Sequence, residues 1–197
     1  MEPTDRPPTL RKNLVLVGGR GSGKSSVARR LLRQNKNFIL FPLDALIRYE
    51  AGGLTVAQIV DREGWSGFRE REVQVVEKVG AFEGSALIDC GGGVVVDLDA
   101  SGGECLSERK VAALRRHGLV VYLHRETQYL IERIAGDDSR PSLSDGESFA
   151  EIMGRRDPWY RKAADHVLEC GALDKEWIAQ RVLEWFYGEL GISAGSG

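Results

Sequence analysis

The sequence has little of what would attach a protein to a membrane, a polyanion or an oxidising compartment. No stretch of the 197 residues approaches the roughly 20 apolar residues that span a bilayer. The segment Met1 to Lys12 is polar and proline-containing, without the apolar core of a signal peptide. Neither charge dominates: 27 Lys and Arg against 29 Asp and Glu give a formal net charge of −2. That balance leaves no electrostatic footprint for nucleic acid or an acidic membrane. The three cysteines, Cys90, Cys105 and Cys170, are odd in number and widely spaced, so they indicate neither a disulfide framework nor a zinc site. His117, His124 and His166 also lack ligand spacing and read as structural or surface residues. The expectation is a cytoplasmic, monomeric protein that acts on small molecules.

The chain has no internal repeat, and its length suits one domain, taken as 13–190 between frayed tails at 1–12 and 191–197. Short apolar runs predict buried strands at Leu14 to Val17, Phe38 to Phe41, Ala86 to Asp89, Leu119 to Leu123 and His166 to Leu168. Helical segments lie between them. Ser25 to Arg33 is one, and Phe68, Val75, Val76 and Val79 share a face of another. Ser107 and Thr127 read as N-caps, and Ile178, Val182, Trp185 and Phe186 line a last helix. Alternating β and α predicts an α/β fold: a central parallel five-stranded sheet flanked by helices on both faces, with ligands at the carboxyl ends of the strands. A stretch dense in Asp, Ser and Gly, 137–147, reads as a mobile lid.

Gly18-Gly19-Arg20-Gly21-Ser22-Gly23-Lys24-Ser25 satisfies G-x-x-x-x-G-K-[ST] between a predicted strand and a predicted helix, the context a P-loop requires. In that motif the amides around Gly21, Ser22 and Gly23, with Ser26 after them, close on phosphate oxygens. Lys24 reaches the β and γ phosphates, and Ser25 can ligate Mg²⁺. Transfer also needs a proton acceptor after the second strand. Asp44 occupies that place and reads either as that base or as an N-cap. Arg69, one residue after Phe68 at an expected helix start, suits a carboxylate ligand, although such an arginine read alone is more often a solvated helix charge. Gly91-Gly92-Gly93 ends the third predicted strand as a ligand-approach site or a tight turn. Arg133 precedes the predicted lid and Arg140 lies in it, and Arg155 and Arg156 precede a proline-marked break at Pro158.

With these residues in place, the chain resembles a shikimate kinase from about Asn13 to about Glu169. The most specific elements are Glu63-Gly64-Trp65 with Phe68, Arg69 and Glu72, the glycine triplet, Arg140-Pro141, and Arg156 with Pro158, Tyr160 and Ala164-Asp165. The resemblance implies ATP-dependent phosphorylation of the 3-hydroxyl of shikimate, with Mg²⁺. It further implies that Arg69, Arg156 and Gly91 to Gly93 bind the acceptor and that Asp44 takes its proton. Arg140 would enter from the lid, and Arg133 would pack on adenine. One departure stands out: the family usually has Asp-x-Asp after the second strand, and here the first position is Pro42. Asp89 is then the candidate to supply the missing metal-binding carboxylate with Ser25, or else it satisfies backbone near the P-loop. Arg48 also replaces a usual acidic residue. Two alternatives remain: a catalytically impaired binding or regulatory module, motivated by Pro42, and another small-metabolite kinase such as one for gluconate.

Overall fold

The computed structural model describes residues 10–135 and 146–192. Five strands form the main sheet: β1 (Asn13–Val17), β2 (Ile39–Pro42), β3 (Ala86–Asp89), β6 (Gly118–His124) and β7 (His166–Glu169). Their order is β2-β3-β1-β6-β7 and every pairing is parallel. A second, antiparallel pair joins β4 (Val96–Leu98) to β5 (Glu104–Leu106). The helices are α1 (Lys24–Gln34), α2 (Leu43–Glu50), α3 (Val56–Gly80), α4 (Glu108–His117), α5 (Thr127–Ile134), α6 (Phe149–Ala163) and α7 (Lys175–Leu190).

Period-2 alternation divides each central strand between two cores. Val15 and Val17 of β1, Ile88 of β3 and Val120 and Tyr122 of β6 face the core shared with α2, α3, α4 and α6. Leu14, Leu16, Leu87, Val121 and Leu123 face the other, built with α1 and α7. Both sheet faces are therefore covered, and the P-loop between β1 and α1 falls at the carboxyl edge.

The structure corrects several local expectations. Leu10, assigned to the frayed tail, is 3% exposed, and its N–H donates to Ser85 Oγ at 3.0 Å. Glu126, not Thr127, is the N-cap of α5, whereas Ser107 caps α4 as expected. The helix containing Phe68 begins earlier, at a Thr55–Gln58 capping box, and kinks at Gly64 (φ 68°, ψ 176°). Helix α6 runs through Pro158 without a break. The carbonyl that the Pro158 ring would crowd belongs to Gly154, the residue type best able to adjust. The β4–β5 hairpin was not expected. Arg140 and residues 136–145 lie outside the described residues, so the expected lid shows only Gly146 and Glu147. Glu147 pairs with Arg155 at the entry to α6.

Candidate active site

The loop after β1 wraps the first turn of α1. Gly23 takes a left-handed conformation (φ 92°) at the N-cap, so the helix starts with its backbone amides directed into the loop. Lys24 is 7% exposed and donates to the carbonyls of Gly18 at 2.7 Å and Gly19 at 3.0 Å. Its ammonium is thereby held across the mouth of the loop. Gly21, Ser25 and Ser26 line the same cleft, with Arg133 of α5 and Lys175 of α7 on its rim. Burial and the neighbouring Arg133 and Arg30 push the Lys175 ammonium below the ordinary lysine range. The result is a cationic cleft with main-chain donors at its floor, the chemistry that holds a polyphosphate.

A second cleft adjoins the first and encloses about 590 Å³ of empty space, part of it open to solvent; Asp44, Arg69, Gly91 to Gly93 and Arg156 line it. The glycine triplet is where three groups converge. A Cβ on Gly91 would collide with Asp44 Oδ1, one on Gly92 would lie 3.0 Å from the Arg20 amide nitrogen of the P-loop, and one on Gly93 would lie 2.5 Å from Arg69 Nη1. Only side-chain-free residues let the carboxylate, the phosphate loop and the guanidinium approach together. Tyr160 holds the turn by donating its hydroxyl to the Gly92 carbonyl. Burial pushes that phenol up to about 12, so it remains a donor. Asp44 lies in the first turn of α2, and Pro42 takes the N-cap position. The N-cap alternative for Asp44 is therefore set aside.

Arg69 is 4% exposed and donates to Glu72 Oε2 at 2.8 Å and to the Gly93 carbonyl at 3.2 Å. The Trp65 and Phe68 rings flank its guanidinium at 5.4 and 5.5 Å. Lys110, fully buried on α4, reaches the same Glu72 oxygen at 2.6 Å. Burial pushes the Glu72 carboxyl up, but Lys110 and Arg69 more than offset it, so it titrates below the ordinary range. Replacing Lys110 with Met leaves this buried carboxylate with one cation. The expected cost is about 3 kcal/mol at pH 7, measured by urea unfolding. Because the folded pKa of Glu72 is depressed, its contribution is present above the ordinary glutamate range and lost as pH falls through the folded value. The gap between Lys110→Met and the parent should therefore close in acid. A gap independent of pH would contradict this assignment.

Arg156, 2% exposed on α6, pairs with Glu104 of β5, its Nε donating to Glu104 Oε2 at 3.0 Å. The same oxygen takes Arg155 Nη2 at 3.0 Å. Burial raises the Glu104 carboxyl, and Arg156 and Arg155 more than offset the rise. Asp89, at the end of β3, is 8% exposed; its Oδ1 is buried without a hydrogen-bond partner, while the Ser25 hydroxyl bonds the carboxylate. Burial, with a smaller effect from Asp44, pushes this carboxyl up against the lowering effect of Ser25 and Lys24. Among the described residues, no group of three or more His, Cys, Asp or Glu could hold a metal ion. None of the described helices is long and apolar enough to cross a membrane.

The shikimate kinase family model matches residues 20–187. The chain belongs to the shikimate kinase family. It is 40% identical over 173 residues to a shikimate kinase of Leptospira biflexa, covering 88% of this chain and 94% of that one. A Leptospira borgpetersenii shikimate kinase is 36% identical over 176 residues, with 88% and 97% covered. In structure it is similar to the Acinetobacter baumannii shikimate kinase solved in complex with shikimate, at a TM-score of 0.77 and 26% identity over 90% of this chain and 94% of that one.

Sequence reasoning about this family member located Lys24, Asp44, Arg69, the glycine triplet, Arg133 and Arg156, and the fold brings all of them to adjoining clefts. It missed Glu104, Lys110 and Lys175. Glu104 had one available signal: Asp99, Ser101, Gly102 and Gly103 form a turn, with Asp99 Oδ1 accepting from the Ser101 and Gly103 amides at 2.8 and 2.9 Å. Lys110 and Lys175 carried no local signal. The impaired-module alternative draws no support from relatives that are named as kinases.

Proposed function

We propose that this member of the shikimate kinase family transfers the γ-phosphoryl group of ATP to the 3-hydroxyl of shikimate. The supporting observation is the convergence at Gly91 to Gly93 of the Asp44 carboxylate, the P-loop backbone and the Arg69 guanidinium. A hydroxyl held between the first two would face a bound phosphate on one side and a proton acceptor on the other. The P-loop amides, Lys24 and Ser26 hold the phosphates, and Arg133 packs on adenine. Arg69 and Arg156 pin the acceptor carboxylate, Asp44 takes the hydroxyl proton, and Arg140 closes over the transferred group.

Mg²⁺ belongs to the same reading. The residues present suit it: the Ser25 hydroxyl lies beside a buried carboxylate with an unpartnered oxygen, a hard-donor pair that a cation would complete. When bound, the ion would neutralise phosphate charge. A monomer in the cytoplasm completes the proposal.

ADP release measured with ATP, Mg²⁺ and shikimate, quinate or gluconate tests it. Stimulation by shikimate alone is expected; stimulation by gluconate alone would overturn the substrate, and nucleotide binding without turnover would favour a binding module. For the acceptor clamp, Arg69→Ala should raise KM for shikimate by about 10- to 100-fold, the equivalent of roughly 1.5–3 kcal/mol of charged hydrogen bonding. Glu72 keeps Lys110 in that variant, so the fold should persist. Unchanged shikimate affinity would refute the clamp.

A further inference from the structure

Asp89 has a burial and a position that the acceptor and phosphate contacts do not account for. It is 8% exposed, yet its Oδ1 has no hydrogen-bond partner. A buried carboxylate oxygen is costly to leave unpaired, and such an oxygen at a ligand cleft marks a missing cation or donor. The Ser25 hydroxyl, on the residue after the P-loop lysine, already bonds the same carboxylate. A P-loop serine beside an aspartate at the end of an adjacent strand is the pair that holds Mg²⁺ in P-loop nucleotide hydrolases.

The neighbouring strand ends at Pro42, which has no side-chain ligand to offer. Pro42 and Asp89 are direct partners in the parallel β2–β3 register. Partners in such a ladder project to the same sheet face on strands about 4.8 Å apart. Pro42, Asp89 and Ser25 accordingly line one cleft, in which the only other lining carboxylate among the described residues is Asp44. Asp44 is turned to the glycine triplet, where it meets Gly91.

We infer that Asp89 and Ser25 form the protein half of the Mg²⁺ site, with the carboxylate supplied from the end of β3 beside Pro42. The inference rests on the nucleotide-binding reading above, and it assigns Asp44 no part in holding the metal. Mg²⁺ is bound through one or two carboxylates and phosphate oxygens, so a single carboxylate is sufficient.

Mn²⁺ provides a probe that does not depend on turnover. Its affinity for the complex of the protein with ADP is read by electron paramagnetic resonance, and ADP affinity in EDTA by calorimetry. Asp89→Asn, nearly isosteric, should weaken Mn²⁺ binding on the order of 10- to 100-fold and leave metal-free ADP affinity unchanged. Adding Pro42→Asp to that variant should restore Mn²⁺ binding, an outcome that a purely structural Asp89 would not produce. If Asp89→Asn binds Mn²⁺ as the parent does, the inference is wrong while the nucleotide reading stands. If the parent binds no ADP even in EDTA, both fail. Should Asp89→Asn not fold, the parent carrying ¹³C-carboxyl aspartate serves instead. A ¹³C coupling to bound Mn²⁺ that persists in Asp44→Asn supports Asp89, and its loss there assigns the metal to Asp44 and overturns the inference.

Discussion

Lys24→Ala is expected to lower kcat by about 10³-fold or more, the scale on which a single cation at a transferring phosphoryl group acts. The position explains why the loss should be catalytic rather than structural. Lys24 is the first residue of α1, where alanine is the most favourable helix former. Its ammonium contacts the carbonyls of Gly18 and Gly19 and caps no helix. Removing it frees those carbonyls to solvent at the cleft mouth and deletes a charge that would otherwise follow the phosphate oxygens through transfer. ADP binding should weaken far less than kcat falls, because the main-chain donors around Gly23 remain. Steady-state kinetics with calorimetry on the same preparation separates the two. A variant that loses ADP affinity in proportion to rate would show that Lys24 only anchors the ground state.

Asp44→Asn should lower kcat by about 10²- to 10⁴-fold, the range for loss of a positioned general base. The amide keeps the shape that fits against Gly91, so shikimate affinity should change little. A rate loss that arises instead from displaced geometry would appear in a conservative change elsewhere in the same contact. Gly91→Ala would push Asp44 away while keeping its carboxylate, and the two variants together separate chemistry from position. Near-parental turnover in Asp44→Asn would mean that the hydroxyl proton leaves by another route.

The sheet and the phosphate loop were legible because their signals are local. Apolar runs at Leu14 to Val17 and Ala86 to Asp89 became β1 and β3, and the P-loop pattern sits between a strand and a helix as its chemistry requires. Asp44 and the triplet could be found because each follows a strand, and Arg69 because it stands where α3 resumes after the Gly64 kink, close to the expected helix start. The groups that hold them could not. Glu104 reaches Arg156 across 52 residues and Lys110 reaches Glu72 across 38, so neither pair leaves a mark on sequence spacing. The β4–β5 hairpin is three residues a side with Asp97 and Glu104 in it, too short and too polar for periodicity to register. Gly64 showed the converse problem. The helix pattern continues on both sides of it, and only its backbone angles reveal the kink.

A crystal structure with ADP and shikimate bound together tests the central claim most directly. The account predicts the β-phosphate within the Gly18 to Ser25 loop, the shikimate carboxylate on Arg69 and Arg156, and one ring hydroxyl between Asp44 and the phosphate end of ADP. Shikimate lodged in a separate cavity, with its hydroxyls turned away from the nucleotide, would contradict it.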